Sequence, residues 1–303
     1  MRVGVVGYGV VGSALGRWLG SSVKHSVVIY DKLQPLYNSD ASRERINDCD
    51  LAFLCVPTPT ACDGLSCDLS AVEECVAWIT APLCIKSTVP PGTVDRLTLE
   101  GHRSIAFSPE YIGESQGHPW HDESNCGFCI VGGPRSIFEK VSQLHDDLSG
   151  GRTTLYWTCA RTAELCKYME NCFLATKVAF VNQFFELSNY FDVDWEELRR
   201  LWLADPRVGK SHTNITAERG YRGRCLPKDV AAIIAASLPF GGAPLLESVQ
   251  AFNRSVCESA DRAAEFIPED STQSRQGLET WTGFEQWTTG QPATSQQVAE
   301  KGS

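Results

Sequence analysis

Gly7-Tyr-Gly9-Val-Val-Gly12 leaves the beginning of this chain little choice of fold. It follows an apolar run, Val3-Gly-Val-Val, that reads as a strand, and it opens a helical segment from Ser13 to Leu19. Glycines at that spacing permit a tight turn, a backbone close enough to touch a pyrophosphate, and a helix packed closely on its strand. A second strand, Ser26-Val-Val-Ile-Tyr30, ends in Asp31, nineteen residues after Gly12. A carboxylate there meets a ribose 2′-hydroxyl and disfavours a 2′-phosphate. The spacing predicts a βαβ unit that holds NAD rather than NADP.

The alternation continues. Asp50 to Val56 is an apolar strand closed by Pro57-Thr58-Pro59, and Leu69 to Thr80 has helical spacing with Asp68 as its cap. Leu83 to Thr88 is a strand that delivers Ser87 and Thr88 to the turn Val89-Pro-Pro-Gly-Thr93. Ile105 to Glu110 repeats the arrangement, with Glu110 and Glu114 following its apolar part. Phe128 to Val131 and Thr153 to Trp157 complete the strands, with a helix from Pro134 to Leu148 between them. Strands and helices in this order specify an α/β, Rossmann-type doubly wound parallel sheet over residues 1–158. Ligands of such sheets bind outside the carboxyl ends of the strands, which places Thr88 near the nicotinamide.

From Ala160 the pattern changes. Arg161 to Tyr190 contains neither Gly nor Pro and is expected to form one long helix, on which Lys167 and Asn171, four apart, share a face. Shorter helices follow at Asp194 to Leu203, Lys228 to Ser237 and Ala243 to Phe266, giving a helical central domain over residues 159–267. Residues 268–303, rich in Ser, Thr, Gln, Gly and Glu but carrying Trp281 and Trp287, are expected to be a disordered tail.

A net charge of −10 and the lack of a dense Lys/Arg run argue against a nucleic-acid binder. Met1 leads at once into a short strand pattern, too few apolar residues for a signal peptide or a membrane span, so a cytoplasmic location is expected. The thirteen cysteines, odd in number and without framework spacing, then read as reduced thiols. His118, His121, Cys126 and Cys129 are ligand types, but their spacing is not a common zinc pattern and Cys129 begins a buried strand; no metal is expected.

One cysteine stands apart. Gly220-Tyr-Arg-Gly-Arg-Cys225-Leu-Pro-Lys-Asp229 puts a thiol in a glycine-flanked loop with Arg222, Arg224 and Lys228 within three residues. Neighbouring cations favour the thiolate, a nucleophile toward carbonyl carbon near neutral pH.

Seven motifs, GYGVVG, FLCVPTP, KSTVPPGT, SPEYIGE, AELCKYMENCFLATK, DPRVG and GYRGRCLPKD, occur in an order that resembles the nucleotide-sugar dehydrogenases, the UDP-glucose and UDP-N-acetylmannosamine 6-dehydrogenases. The resemblance covers about residues 1–255. It implies oxidation of a sugar C6 alcohol to the carboxylate with two NAD, through a thiohemiacetal and thioester on Cys225. Lys167 is then the cation for the developing oxyanion, Asn171 a holder of the same oxygen or a water, and Asp229 the group that orients them. Thr88 stands beside that water, and Glu110 acts as the base in hydrolysis. Cofactor contacts fall to Gly7, Gly9, Val10, Val11, Gly12 and Asp31, then to Val56, Pro57, Thr58, Ser87, Thr88 and Glu114. Substrate contacts fall to Glu110, Tyr111, Lys167, Asn171, Tyr221 and Gly223, with Arg207 reaching the hexose of the neighbouring subunit of a homodimer formed through the long helix.

Two departures accompany the resemblance. Arg222 stands where the family usually has glycine, and only some fifty residues remain after Asn253, where family members continue into a uridine-nucleotide domain. The expectation is a short form lacking that domain, with Arg222 and Arg224 as candidates to hold the diphosphate. Two other readings are a non-catalytic NAD-binding dimer that regulates a full-length enzyme, and a two-electron 3-hydroxyacid dehydrogenase, which shares the Lys-x-x-x-Asn helix face but has no use for Cys225.

Overall fold

The computed structural model describes residues 1–101, 104–113, 120 and 126–265. Glu114, His118, His121 and the tail from 268 lie outside the described residues.

Seven strands form one sheet: β1 (Arg2–Val6), β2 (Ser26–Tyr30), β3 (Leu51–Leu54), β4 (Leu83–Ile85), β5 (Ile105–Phe107), β6 (Phe128–Gly132) and β7 (Thr154–Thr158). Their order is β2-β1-β3-β4-β5-β6-β7. All neighbours run parallel except β5 and β6, which pair antiparallel through Phe107 and Gly132. The middle strands β3, β4 and β5 are buried at every position. Hence they are continuous apolar runs rather than alternating ones, as expected of a sheet covered on both faces.

Side chains leave a strand alternately up and down, so consecutive residues enter different cores. Val6, Leu54, Ile85 and Phe107 pack on one side. Val5, Phe53, Cys84 and Ala106 pack on the other, against Leu15 and Leu19 of α1 (Val10–Leu19) and Ile137 and Leu144 of α5 (Arg135–Ser149). Three further helices connect strands: α2 (Asp40–Asn47), α3 (Ser70–Trp78) and α4 (Thr93–Leu99). Asp68 accepts from the amide of Ser70 at 2.9 Å, as its position before α3 predicts. The short helices α2 and α4 have no counterpart in the sequence reading.

The long helix, α6 (Ala160–Tyr190), spans 31 residues. Its first turn lies on the sheet, where Ala160 and Ala163 join the core beneath β6. Gly132 makes this possible, because a Cβ there would come within 2.6 Å of the Cys159 carbonyl and 2.7 Å of the Ala163 methyl. One residue further, the fully buried Glu164 carboxylate accepts from the amides of Gly92 at 2.6 Å and Val94 at 2.9 Å, capping α4. Burial raises the Glu164 carboxyl above its ordinary range even though two amide protons point at it.

The later turns of α6 build a separate core with α8 (Leu226–Ser237) and α9 (Pro244–Glu265), from Cys172, Ala175, Ala179, Val230, Ile234 and Val249. α7 (Trp195–Trp202) packs beside α6, with the Trp202 ring 5.9 Å from that of Phe180. Among the described residues no helix is long and apolar enough to cross a membrane.

Candidate active site

At the carboxyl edge of the sheet, β1 turns into α1 through Gly7, whose φ of +84° suits glycine alone and whose Cβ would come 2.8 Å from the Cys55 carbonyl. A Cβ on Gly12 would overlap the Gly7 carbonyl oxygen, whereas one on Gly9 would meet nothing within 4 Å. Two of the glycines therefore serve the packing, and the third leaves room for a ligand. No side chain caps α1, which leaves the amides of Val10, Val11 and Gly12 in its first turn for an anion.

Asp31, at the end of β2, accepts from the Tyr8 amide at 2.6 Å and from the amides of Leu33 and Gln34 at 2.8 and 3.1 Å. It ties the second strand to the glycine turn, and a carboxylate with about four acceptor sites still has one for a ribose hydroxyl. An open Gly9, an uncapped helix and an acid at the next strand end fit a dinucleotide.

Beyond β3 and β4 the two loops lock together. Ser87 donates to the Val56 carbonyl at 2.6 Å, and Thr58 to the Thr88 carbonyl at 2.8 Å. The hydroxyl protons of Ser87 and Thr58, two of the expected cofactor contacts, are thus committed to backbone carbonyls, which fixes the shape of the Val56-Pro57-Thr58 floor.

A residue missed in the sequence stands between them and the next strand. Lys86 is buried and lies 3.2 Å from a carboxylate oxygen of buried Glu110, whose other oxygen accepts from the amides of Tyr111 and Ile112 at 2.7 Å each. A lysine ending an apolar strand at the carboxyl edge of the sheet was the signal available. The Tyr111 ring packs on Phe128 at 4.8 Å and carries the Lys167 ammonium over its face at 4.6 Å. Such a contact holds a cation without neutralising it. Burial raises the Tyr111 phenol.

Asn171, one turn beyond Lys167 on α6, is buried and donates to Asp229 at 2.5 Å, and Lys228 reaches the other carboxylate oxygen at 2.5 Å. Asp229 lies in the first turn of α8, and its amide bonds the Cys225 carbonyl at 2.9 Å. The helix begins at Leu226, two residues earlier than its sequence indicates, because Pro227 falls in its first turn, where a missing amide proton costs nothing. Cys225 is consequently the N-cap residue, exposed, and its side chain makes no capping bond to the helix. The dipole of α8 favours negative charge at that place.

In the loop before Cys225 two residues are engaged by the rest of the helical part. Tyr221, expected among the substrate contacts, has its ring in the core formed with Cys172, Ala175 and Val230, and burial pushes its phenol up to about 12. Arg222, a candidate for the diphosphate, faces α9, bonding the carbonyls of Glu218 and Cys257 at 2.9 and 3.0 Å and the Asp261 carboxylate at 2.8 Å. Arg222 also needs no glycine, since positive φ in this loop falls on Arg219, Gly220 and Gly223. A Cβ on Gly223 would meet nothing within 4 Å, which keeps the approach to Cys225 open.

Arg207 is 88% exposed and folded onto Asp205. Its loop is held to α6 by Lys177, which donates to the carbonyls of Val208 and Gly209 at 3.0 and 2.9 Å. Cys126 bonds the Phe128 carbonyl at 3.1 Å and Cys129 lies 3.6 Å from Ser108.

Residues 33–146 match the NAD-binding domain, and residues 161–255 the central domain, of the UDP-glucose/GDP-mannose dehydrogenase family. A UDP-glucose 6-dehydrogenase of Pseudomonas aeruginosa is 34% identical over 229 residues, which are 69% of this chain and 49% of that protein. One from Rickettsia bellii is 31% identical over 202 residues, 63% of this chain and 45% of that protein. The chain thus spans about half the length of these curated relatives. Among solved structures, a UDP-glucose dehydrogenase from Pyrobaculum islandicum superposes with a TM-score of 0.71 at 26% identity, covering 84% of this chain and 68% of that one. A UDP-D-ManNAc dehydrogenase from Pyrococcus horikoshii shares the fold, with a TM-score of 0.70 at 23% identity over 88% of this chain and 70% of that one.

Proposed function

The chain belongs to the UDP-glucose/GDP-mannose dehydrogenase family, with that family's NAD-binding domain, and from this premise we propose that it oxidises the C6 alcohol of a nucleotide sugar to the carboxylate through a covalent intermediate on Cys225. The observation that carries this reading is the 2.5 Å bond from Asn171 to Asp229. It joins the helix face bearing Lys167 to the first turn of α8, whose N-cap is Cys225.

NAD, when bound, supplies the hydride acceptor, twice per sugar. Lys167 stabilises the alkoxide that precedes each hydride loss, and the Tyr111 ring keeps its ammonium in place. The Cys225 thiolate attacks the C6 aldehyde, forming a C–S bond and an oxyanion that takes a proton to give the thiohemiacetal. Loss of the second hydride and of that proton leaves the thioester. Water then adds to the thioester carbon as Glu110 takes one of its protons, the C–S bond breaks to release the thiolate and the carboxylic acid, and the acid gives up its proton to solvent to leave the carboxylate. Glu110 can carry out this role while buried because Lys86 balances its charge. Asn171 and Asp229 fix the water and the lysine relative to the thiol, with Thr88 beside them.

The division of labour follows the chain: residues 1–158 hold the cofactor, and residues 159–267 supply the nucleophile, the cation and a homodimer contact along α6. Arg207 serves the partner's sugar from the loop that Lys177 holds. The test is NADH counted per sugar over a panel of UDP- and GDP-sugars, repeated with Cys225→Ser. Two NADH per sugar, falling to arrest after the aldehyde in the variant, is the expected result. One NADH independent of Cys225 would instead favour the 3-hydroxyacid chemistry, and NAD binding without turnover a regulatory role.

A further inference from the structure

The carboxylate at the end of β2 has a lysine beside it. One oxygen of Asp31 accepts from the amides of Leu33 and Gln34, so the chain turns sharply at once and Lys32 stands at the corner. The Lys32 carbonyl accepts from the Asn38 side chain at 2.8 Å. With its backbone held on both sides, Lys32 has its side chain left to move, a point charge on a flexible four-carbon stem. In dinucleotide-binding sheets this neighbourhood separates the two nicotinamide cofactors. An acid meets the free 2′-hydroxyl of NAD, and a cation nearby accommodates the 2′-phosphate of NADP. This chain has both, the acid Asp31 and the cation Lys32. Asp31 alone therefore leaves a phosphate-binding group next to the ribose.

A second acid meets that cation. Lys32 donates to both carboxylate oxygens of Glu74, at 2.9 and 2.8 Å. Glu74 sits on α3, which follows β3, whereas Lys32 follows β2, and β1 lies between those two strands. The bridge thus spans the end of β1 and carries the ammonium to the α3 side. Each partner favours the charged form of the other: the bond to Glu74 raises the Lys32 ammonium, and the bond from Lys32 lowers the Glu74 carboxyl. Arg43 of α2 also acts on Glu74, but it is held elsewhere. Its guanidinium lies 4.9 Å over the Trp78 ring and 5.3 Å over that of Tyr30, and its Nε donates to the Tyr30 hydroxyl at 3.2 Å. Of the two cations, Lys32 is the one free to swing.

We propose that Glu74 is a second determinant of cofactor choice: by binding Lys32 it withholds a cation that would otherwise pair with the 2′-phosphate of NADP, and so supports Asp31 in selecting NAD. This role rests on the chain binding NAD and not on turnover, so binding tests it.

Calorimetric titration with NAD, and displacement of bound NAD by NADP, give the ratio of the two dissociation constants. In Glu74→Gln that ratio, NADP over NAD, should fall about threefold, the size of effect an exposed ion pair carries. The fall should shrink in about 0.5 M sodium chloride, which screens exposed charges. In a Lys32→Gln background, Glu74→Gln should leave the ratio where it was, since no lysine remains to be released. Both side chains are exposed, so the thermal midpoint should stay the same in every variant. A ratio unmoved in Glu74→Gln, or NADP that displaces no NAD from that variant, would overturn the proposal. So would an equal fall with and without Lys32, which would show plain repulsion between Glu74 and the phosphate. A wild-type protein that binds neither nucleotide would remove the cofactor reading and the proposal together, whereas NAD binding with an unmoved ratio would remove the proposal alone.

Discussion

His145 of α5 is buried, its ring tilted against that of Trp18 at 4.7 Å, with Lys86 near enough to repel a proton. Burial first, and Lys86 second, lower its pKa from 6.5 to about 4. The sign follows from proton counting. Between those values the unfolded chain binds a proton that the folded chain refuses, so stability is complete above pH 6.5 and is lost as the pH falls toward 4. The loss attributable to this ring is on the order of 3 kcal/mol. Urea titrations of the protein and of His145→Phe, at pH 7 and pH 4, should show the variant losing less stability on acidification by about that amount; equal losses would rule out a neutral buried imidazole. His145 was not legible as important, since it stands beside Asp146 and Asp147 in a stretch that reads as a helix's polar side, and Lys86, at the end of an apolar strand, was passed over for Ser87 and Thr88 next to it. Cys225, Lys167, Asn171 and Asp229 could be singled out because a cysteine with nearby cations and a Lys-x-x-x-Asn face are local patterns, and the structure does bring Asn171 against Asp229 in the helix that Cys225 caps. The burial of Tyr221 was not legible for the opposite reason: its neighbours are loop residues, and only the fold turns its ring into the core.

At the scale of the element, the strands and the large helices followed from apolar runs and periodicity, while α4 did not. Its seven residues begin after Pro-Pro-Gly with no local side-chain cap, and the carboxylate that caps it, Glu164, lies some seventy residues further along the chain. The reversal of direction between β5 and β6 escaped for a related reason, as strand polarity is decided by the connection and not by the strand. Glu164 also joins the two parts of the molecule, since α6 carries it and the turn it caps leads directly from Ser87 and Thr88. Glu164→Ala strands two buried amides and should cost about 2 kcal/mol in chemical denaturation. It should also speed hydrogen exchange at Gly92 and Val94 and weaken NAD binding measured by calorimetry. Unchanged exchange at those two amides would show that the carboxylate does not hold the turn.

On the scale of the whole molecule, α6 exposes Leu165, Met169, Phe173, Phe180 and Phe184 at spacings of four and seven, a continuous apolar stripe along a 31-residue helix. Met169 is 74% exposed and Phe173 64%, values that water tolerates singly but not as a row. A second copy packed along this stripe would cover it by two-fold symmetry, each helix meeting the same residues of the other. Met169→Glu with Phe173→Glu should then halve the mass found by light scattering while leaving the circular dichroism spectrum intact; a wild-type protein that is itself monomeric would end the idea. Such a pairing would also decide what Arg207 does. Lys177 fastens the Arg207 loop to α6, and Arg207 itself points into solvent, paired with Asp205. If it acts on the partner's sugar, Arg207→Ala and Cys225→Ser damage different subunits' contributions to one site. Co-expressed in equal amounts, the two inactive variants should form mixed dimers in which one site has both groups, restoring about a quarter of the sites of the unaltered dimer by random pairing. Were Arg207 to act within its own subunit, each mixed dimer would hold two damaged sites, and no activity would return.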